Sequence, residues 1–131
     1  MTDTFTNASI LLLDSDPLTR TILHETLERA GYLVVAVDGL GAAVDRLHRM
    51  RPDLLIVRPY ISSMPGHMAA QYLRTVSPGL AVLIVAGCIS DERIHVQNAV
   101  YKFHMFPESF APVELLGKVR EVLRIVRGEA H

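Results

Sequence analysis

The sequence alternates between short apolar runs and longer segments in which apolar residues recur every three or four positions. Runs of valine, isoleucine and leucine are typical of strands that are buried on both faces. The longer segments are typical of helices with one buried face. The apolar runs predict five strands, at residues 10–13, 33–37, 54–57, 80–86 and 103–106.

Local signals mark the ends of the first helix. Asp16 can cap its N-terminus, Pro17 suits the first helical position, and Gly31 is a typical stop. Further helices are predicted at 40–50, 67–76, 91–101 and 112–127, and 91–101 is the least amphipathic of them. The predicted buried face of the first helix contains Leu18, Ile22, Leu23, Leu27 and Ala30.

The regular alternation of strand and helix predicts an α/β fold of the type (βα)5. Right-handed crossovers then give a doubly wound, parallel five-stranded sheet with helices on both faces, in the flavodoxin-like order 2-1-3-4-5. We expect a single domain over residues 1–131, with a core from about 8 to 128 and no output domain.

Composition excludes several classes of function. The net charge is -1, and the 13 lysines and arginines are dispersed, which argues against a nucleic-acid partner. No apolar run approaches the roughly 20 residues that span a bilayer, so no membrane association is expected. Cys88 is the only cysteine, and residues 1–9 lack the features of a signal peptide. These features predict a cytoplasmic protein without an internal disulfide.

Four short segments, in order, carry a family resemblance. They are residues 11–20 with the sequence LLLDSDPLTR, residues 51–57 with RPDLLIV, the Met64-Pro65-Gly66 loop, and residues 110–116 with FAPVELL. In this order and spacing the chain resembles the receiver domain of bacterial two-component response regulators. The resemblance implies a domain that catalyses its own phosphorylation. An aspartate that closes the third strand takes a phosphoryl group from a histidine kinase, and acids after the first strand help to hold Mg²⁺.

The residues at the family's functional positions differ from that pattern. Asp14 matches the first acid, Ser15 stands in place of the second, and Asp16 is retained but is explained by its capping role. Val85 takes the place of the threonine or serine on the fourth strand, and Glu108 that of the lysine on the fifth. A pocket of this composition predicts a degenerate site without bound metal or cofactor.

Two residues are candidates for the position that corresponds to the family's phosphoacceptor aspartate. Counting from Pro52 gives Arg58, whereas counting back from Met64-Pro65 gives Ile61, because the loop is about three residues longer than in the family. No aspartate or glutamate occurs anywhere between residues 54 and 90, so neither choice supplies a carboxylate.

Arg58 and Glu108 suggest an inverted charge pair. The family's Asp and Lys face one another across the pocket, and here we expect a salt bridge from Arg58 to Glu108, with Asp14 as a second partner. The alternative is that Arg58 is a solvated side chain at the end of a strand, where an ion pair contributes little.

We therefore expect a stand-alone atypical receiver, not an enzyme, that acts by contact with a signalling kinase or effector. By the resemblance, partners or a homodimer use the fourth helix, fifth strand and fifth helix, with Tyr101, Phe103, Met105 and Phe106 as candidates. The alternative is a flavodoxin-like enzyme or small-anion-binding domain. Its crevice would be formed by Asp14, Ser15, Arg58 and Ser62.

Overall fold

The structure is a computed structural model that describes residues 8–58, 60–61, 64–86, 103–107 and 111–126. These ranges contain the strands β1 (Ser9–Leu13), β2 (Leu33–Val37), β3 (Leu54–Val57), β4 (Tyr60–Ile61), β5 (Met64–Pro65), β6 (Val82–Ala86) and β7 (His104–Pro107). They also contain the helices α1 (Pro17–Arg29), α2 (Leu40–Leu47), α3 (Gly66–Val76) and α4 (Pro112–Val126). The predicted helix at 91–101 lies outside the described residues.

Five strands form one parallel sheet in the order β2-β1-β3-β6-β7. The predicted parallel five-stranded sheet is confirmed. The strand numbers differ from the predicted 2-1-3-4-5 only because β4 and β5 intervene along the chain, where they form a separate antiparallel pair. With those two strands left out of the count, the order is the one expected for a doubly wound fold.

Helices cover both faces of the sheet, and each face has its own apolar core. Alternate residues of β3 show the division, since Leu55 and Val57 belong to one core and Leu54 and Ile56 to the other. The first core contains buried residues of α2 and α3, and the second contains those of α1 and α4. Every residue of β3 is fully buried, which explains why its sequence is an uninterrupted apolar run.

The ends of α1 agree with the prediction, but its buried face does not. Asp16 accepts a hydrogen bond from the backbone N–H of Thr19 at 3.1 Å, and Gly31 stops the helix with a φ of 101°. Leu23 and Leu27 are buried, whereas Leu18 and Ile22 are 70% and 43% exposed and Ala30 is exposed. The buried contacts of α1 are thus confined to two positions one turn apart, and its apolar face was predicted too wide.

Several boundaries also differ from the prediction. The helix predicted at 40–50 ends at Leu47, because His48 caps it and residues 48–49 form a turn. The strand predicted at 80–86 begins at Val82, although Leu80 is buried ahead of it. The short β4–β5 hairpin was not predicted at all.

None of the helices that the structure describes combines the length and the apolar character needed to cross a membrane.

Candidate functional site

Two ionisable residues meet at the carboxyl edge of the sheet. Asp14 directly follows β1 and Arg58 directly follows β3, and these strands are neighbours with Leu13 paired to Val57. The backbone N–H of Arg58 donates to the carbonyl of Leu13 at 3.2 Å, so the pairing continues to the end of the strand. Nε of Arg58 lies 3.6 Å from Oδ2 of Asp14. The register of two adjacent strands therefore brings these residues together.

Asp14 is the buried carboxylate of this edge, with 2% of its surface exposed. Its Oδ1 accepts a hydrogen bond from the backbone N–H of Asp16 at 3.0 Å, and its carbonyl accepts one from Nη1 of Arg20 at 2.9 Å. Oδ2 accepts no hydrogen bond from the described residues. Burial raises the pKa of Asp14, and the Asp16 N–H and the Arg58 charge oppose that rise without cancelling it.

Asp16 caps the helix that follows the site, and Ser15 lies beside it. The Asp16 carboxylate is exposed and accepts hydrogen bonds from the hydroxyl and then the backbone N–H of Thr19, which lower its pKa. It is therefore engaged in capping α1, as its position before Pro17 predicted. Ser15 lies between the two aspartates and is partly exposed.

The structure separates the two positions that competed in the sequence. Arg58 is the residue beside Asp14, with 12% of its side chain exposed, so it is not a solvated arginine. Ile61 lies in β4 and is buried in the core beneath the sheet's edge, with 4% exposure. β4 and β5 pair with each other between Arg58 and α3, and Arg58 directly follows β3.

Gly66 is a residue of this site that sequence reasoning missed. It begins α3, and a Cβ added there would overlap the carbonyl oxygen of Arg58 and lie 3.1 Å from Cγ1 of Val57. Only a glycine lets α3 approach the end of β3 so closely. The signal was present in the Met64-Pro65-Gly66 motif, but its meaning depends on a backbone contact that the sequence does not display.

The other predicted site residues are placed as follows. Val85 is fully buried in β6, where it packs in the core shared with α1 and α4, and its side chain has no hydrogen-bonding group. Glu108 and Ser62 lie outside the described residues, so the Arg58–Glu108 pair stays a prediction.

The predicted interaction face needs a correction at Phe103. This residue is 7% exposed and belongs to the core, and the guanidinium carbon of Arg74 lies 4.8 Å from its ring centroid. Phe103 therefore packs internally and offers little surface to a partner. Met105 and Phe106 are partly buried against opposite cores, and Tyr101 lies outside the described residues.

The donor set does not fit a divalent cation. Mg²⁺ prefers several oxygen ligands, including carboxylates. Here the buried Oδ2 of Asp14 faces a guanidinium at 3.6 Å, and Asp16 is engaged at the helix end. Among the described residues, no group of three His, Cys, Asp or Glu side chains could hold a metal ion.

Comparison with known proteins identifies relatives over most of the chain. The family model for the response regulator receiver domain matches residues 10–106. The response regulator MprA of Mycobacterium avium (strain 104) is 31% identical over 122 residues, which are 92% of this chain and 53% of that protein. The probable transcriptional regulator ycf27 of Guillardia theta is 27% identical over 123 residues, 93% of this chain and 48% of the relative. The chain thus spans about half the length of these relatives.

Solved structures share the fold. The CheY-like receiver domain protein of Methanospirillum hungatei JF-1 superposes with a TM-score of 0.82 at 22% identity, covering 95% of this chain and 99% of the other. The receiver domain of the sensor histidine kinase PA1611 from Pseudomonas aeruginosa PAO1, solved with a magnesium ion in its active site cleft, gives 0.75 at 18% identity. That match covers 89% of this chain and 98% of the other. The fold and the match over residues 10–106 lead to one conclusion: the chain belongs to the response regulator receiver domain family of two-component signalling.

Proposed function

We propose that this chain is an atypical receiver domain that signals by protein contact, without aspartyl phosphorylation. One observation carries the proposal: Arg58, a cation, directly follows β3 and lies against the buried Asp14. In the family, the residue that closes this strand is the aspartate that accepts the phosphoryl group.

The chemistry of phosphoryl transfer supports this reading. An aspartyl nucleophile requires a carboxylate, and the developing charge on the phosphoryl oxygens requires a metal ion or fixed donors. The guanidinium of Arg58 has no lone pair to offer, and no aspartate or glutamate occurs between residues 54 and 90. Val85 cannot donate a hydrogen bond to a phosphoryl oxygen from its side chain.

The partners are also part of the proposal. Response regulators interact with kinases and effectors, and we assign this chain a protein partner of that class. A homodimer through the edge of the sheet at β7 and the adjoining α4 remains a further proposal, since β7 is the last strand in the sheet order. Without phosphorylation, regulation of this chain would come from its abundance, from partner binding or from a small ligand.

The alternative, an anion-binding crevice, has less support. An anion bound to Arg58 would lie close to the buried carboxylate of Asp14, which is 3.6 Å from Nε of Arg58, and would be repelled by it when it is ionised. Asp14 therefore already offsets the positive charge that an anion would need.

Incubation with acetyl phosphate and Mg²⁺, followed by intact mass spectrometry, tests the proposal. We expect no phosphoryl adduct on the wild-type chain, and an ordinary receiver with its aspartate serves as the positive control. An adduct that hydroxylamine removes would show an acyl phosphate and would refute the proposal. A thermal-shift screen of anionic metabolites separates the alternative, because only an anion-binding domain would be stabilised saturably.

A further inference from the structure

We propose that Arg58 is a tethered cation that takes the place of a divalent metal at Asp14, so that removing its charge opens a latent divalent-cation site. The inference rests on the proposed function, because it assigns a role to the residue that replaces the phosphoacceptor. It also explains why the donor set departs from that of a magnesium-binding receiver.

The buried carboxylate is the first step of the argument. Asp14 is 2% exposed, and its Oδ2 accepts no hydrogen bond from the described residues. When it is ionised, a buried carboxylate oxygen in this condition is stabilised by a positive charge or a metal ion beside it. Nε of Arg58, at 3.6 Å, supplies that charge.

The second step is that Arg58 is held in place from both sides of its backbone. Its N–H donates to the Leu13 carbonyl at 3.2 Å, and its own carbonyl lies against Gly66 at the start of α3. The side chain is 12% exposed. The backbone of β3 therefore positions the positive charge of Arg58 beside Asp14, and no ion from solution is needed to place a cation there.

The third step is mutual exclusion. A guanidinium and a divalent ion cannot both occupy the space in front of one carboxylate oxygen, because they repel each other at close range. Once the guanidinium is absent, Oδ2 regains an open coordination position, and oxygen is the ligand that Mg²⁺ and Mn²⁺ prefer. Water and the nearby Ser15 would complete a weak site.

Arg20 offers a matched comparison. It carries the same charge near Asp14, but its Nη1 donates to the backbone carbonyl of that residue and not to the carboxylate. Removing Arg20 changes the local charge without opening Oδ2. Comparing the two variants therefore separates the effect of removing a nearby positive charge from the effect of vacating the space in front of Oδ2.

The experiment measures the thermal unfolding midpoint of the full chain against concentration of Mg²⁺ or Mn²⁺ as the chloride salt. Wild type, Arg58→Lys and Arg20→Gln should show no saturable shift. Arg58→Gln and Arg58→Asp should show a saturable rise, and the rise of Arg58→Gln should vanish in Arg58→Gln/Asp14→Asn. Circular dichroism establishes that each variant is folded.

Saturable binding of either metal to the wild type would overturn the inference. This measurement does not depend on whether any variant folds. So would a folded Arg58→Gln or Arg58→Asp that shows no metal-dependent shift, or a shift of equal size in Arg20→Gln. If the wild type binds metal but forms no acyl phosphate, the inference fails while the proposed function stands. If it forms an acyl phosphate, the proposed function fails.

Discussion

Nε of Arg58 lies 3.6 Å from Oδ2 of Asp14, and both side chains are largely shielded from water. The contact follows from the pairing of Leu13 with Val57, because each charged residue is the next one along its strand. A parallel sheet places such residues side by side whatever their charge. The strand register therefore accounts for the contact between the carboxylate that follows β1 and the arginine that follows β3.

Removing the charge of Arg58 should destabilise the fold. Arg58→Met keeps a long side chain but removes the cation that lies against the buried Oδ2 of Asp14, and we expect a loss of about 1–3 kcal/mol in the free energy of unfolding. Urea denaturation measures it. The double variant Arg58→Met/Asp14→Asn should recover most of the loss, since it removes both charges. A single variant as stable as the wild type would contradict a stabilising role for the pair.

The stabilising contribution of Asp14 should decrease as the pH rises. A salt-bridged surface aspartate, whose pKa is lowered, would show the opposite trend. Burial raises the folded pKa of Asp14 above its ordinary value of 3.8. Its contribution is therefore fully present below pH 3.8 and is lost as the pH rises through the raised folded pKa. The advantage of the wild type over Asp14→Asn in free energy of unfolding should shrink across that window.

Asp45→Asn, at an exposed position of α2, is the control for the Asp14 experiment. The wild type and Asp45→Asn should both lose stability across this pH window, because both retain Asp14. If the advantage over Asp14→Asn grew with rising pH, the Arg58 charge would outweigh burial, and the stated direction of the pKa shift would be wrong.

Gly66→Ala should disturb the site through the backbone. A Cβ at this position overlaps the Arg58 carbonyl oxygen and meets Cγ1 of Val57 at 3.1 Å, so α3 or the end of β3 must move. We expect a loss of about 1–3 kcal/mol in denaturant unfolding. Gly41→Ala is the matched control: it lies in α2 with nothing within 4 Å of the added Cβ, and it should gain about 0.5–1 kcal/mol. Equal effects at the two positions would rule out the close contact.

Patterns that depend on nearest neighbours were predictable from the sequence. The apolar run 54–57 indicated a fully buried central strand, and Asp16-Pro17 with Gly31 marked the ends of α1. Features that depend on contacts with residues far away in the sequence were not predictable. The exposure of Leu18 follows from how α1 sits on the sheet, and the role of Gly66 follows from its approach to Arg58.

The choice between Arg58 and Ile61 shows the same limit. Both counts along the chain were consistent with the motifs, because an insertion can be placed on either side of the acceptor position. Only the pairing of β3 with β1 shows that Arg58 lies beside Asp14, whereas Ile61 belongs to β4. Asp14 was expected from the sequence as a second partner of Arg58, but the two counts left Arg58 and Ile61 as competing positions.

Acidification should weaken the packing of β7 against α4 through His104. Burial, and then the charge of Lys118, lower the pKa of this histidine below its ordinary value of 6.5, while Glu121 opposes them and Arg74 adds to them. The stability due to neutral His104 is therefore present above pH 6.5 and is lost as the pH falls through the folded pKa. Denaturant unfolding at a series of pH values should show a decline that His104→Gln removes and His48→Gln, at an exposed position, retains. A decline that persists unchanged in His104→Gln would assign the acid sensitivity to other groups.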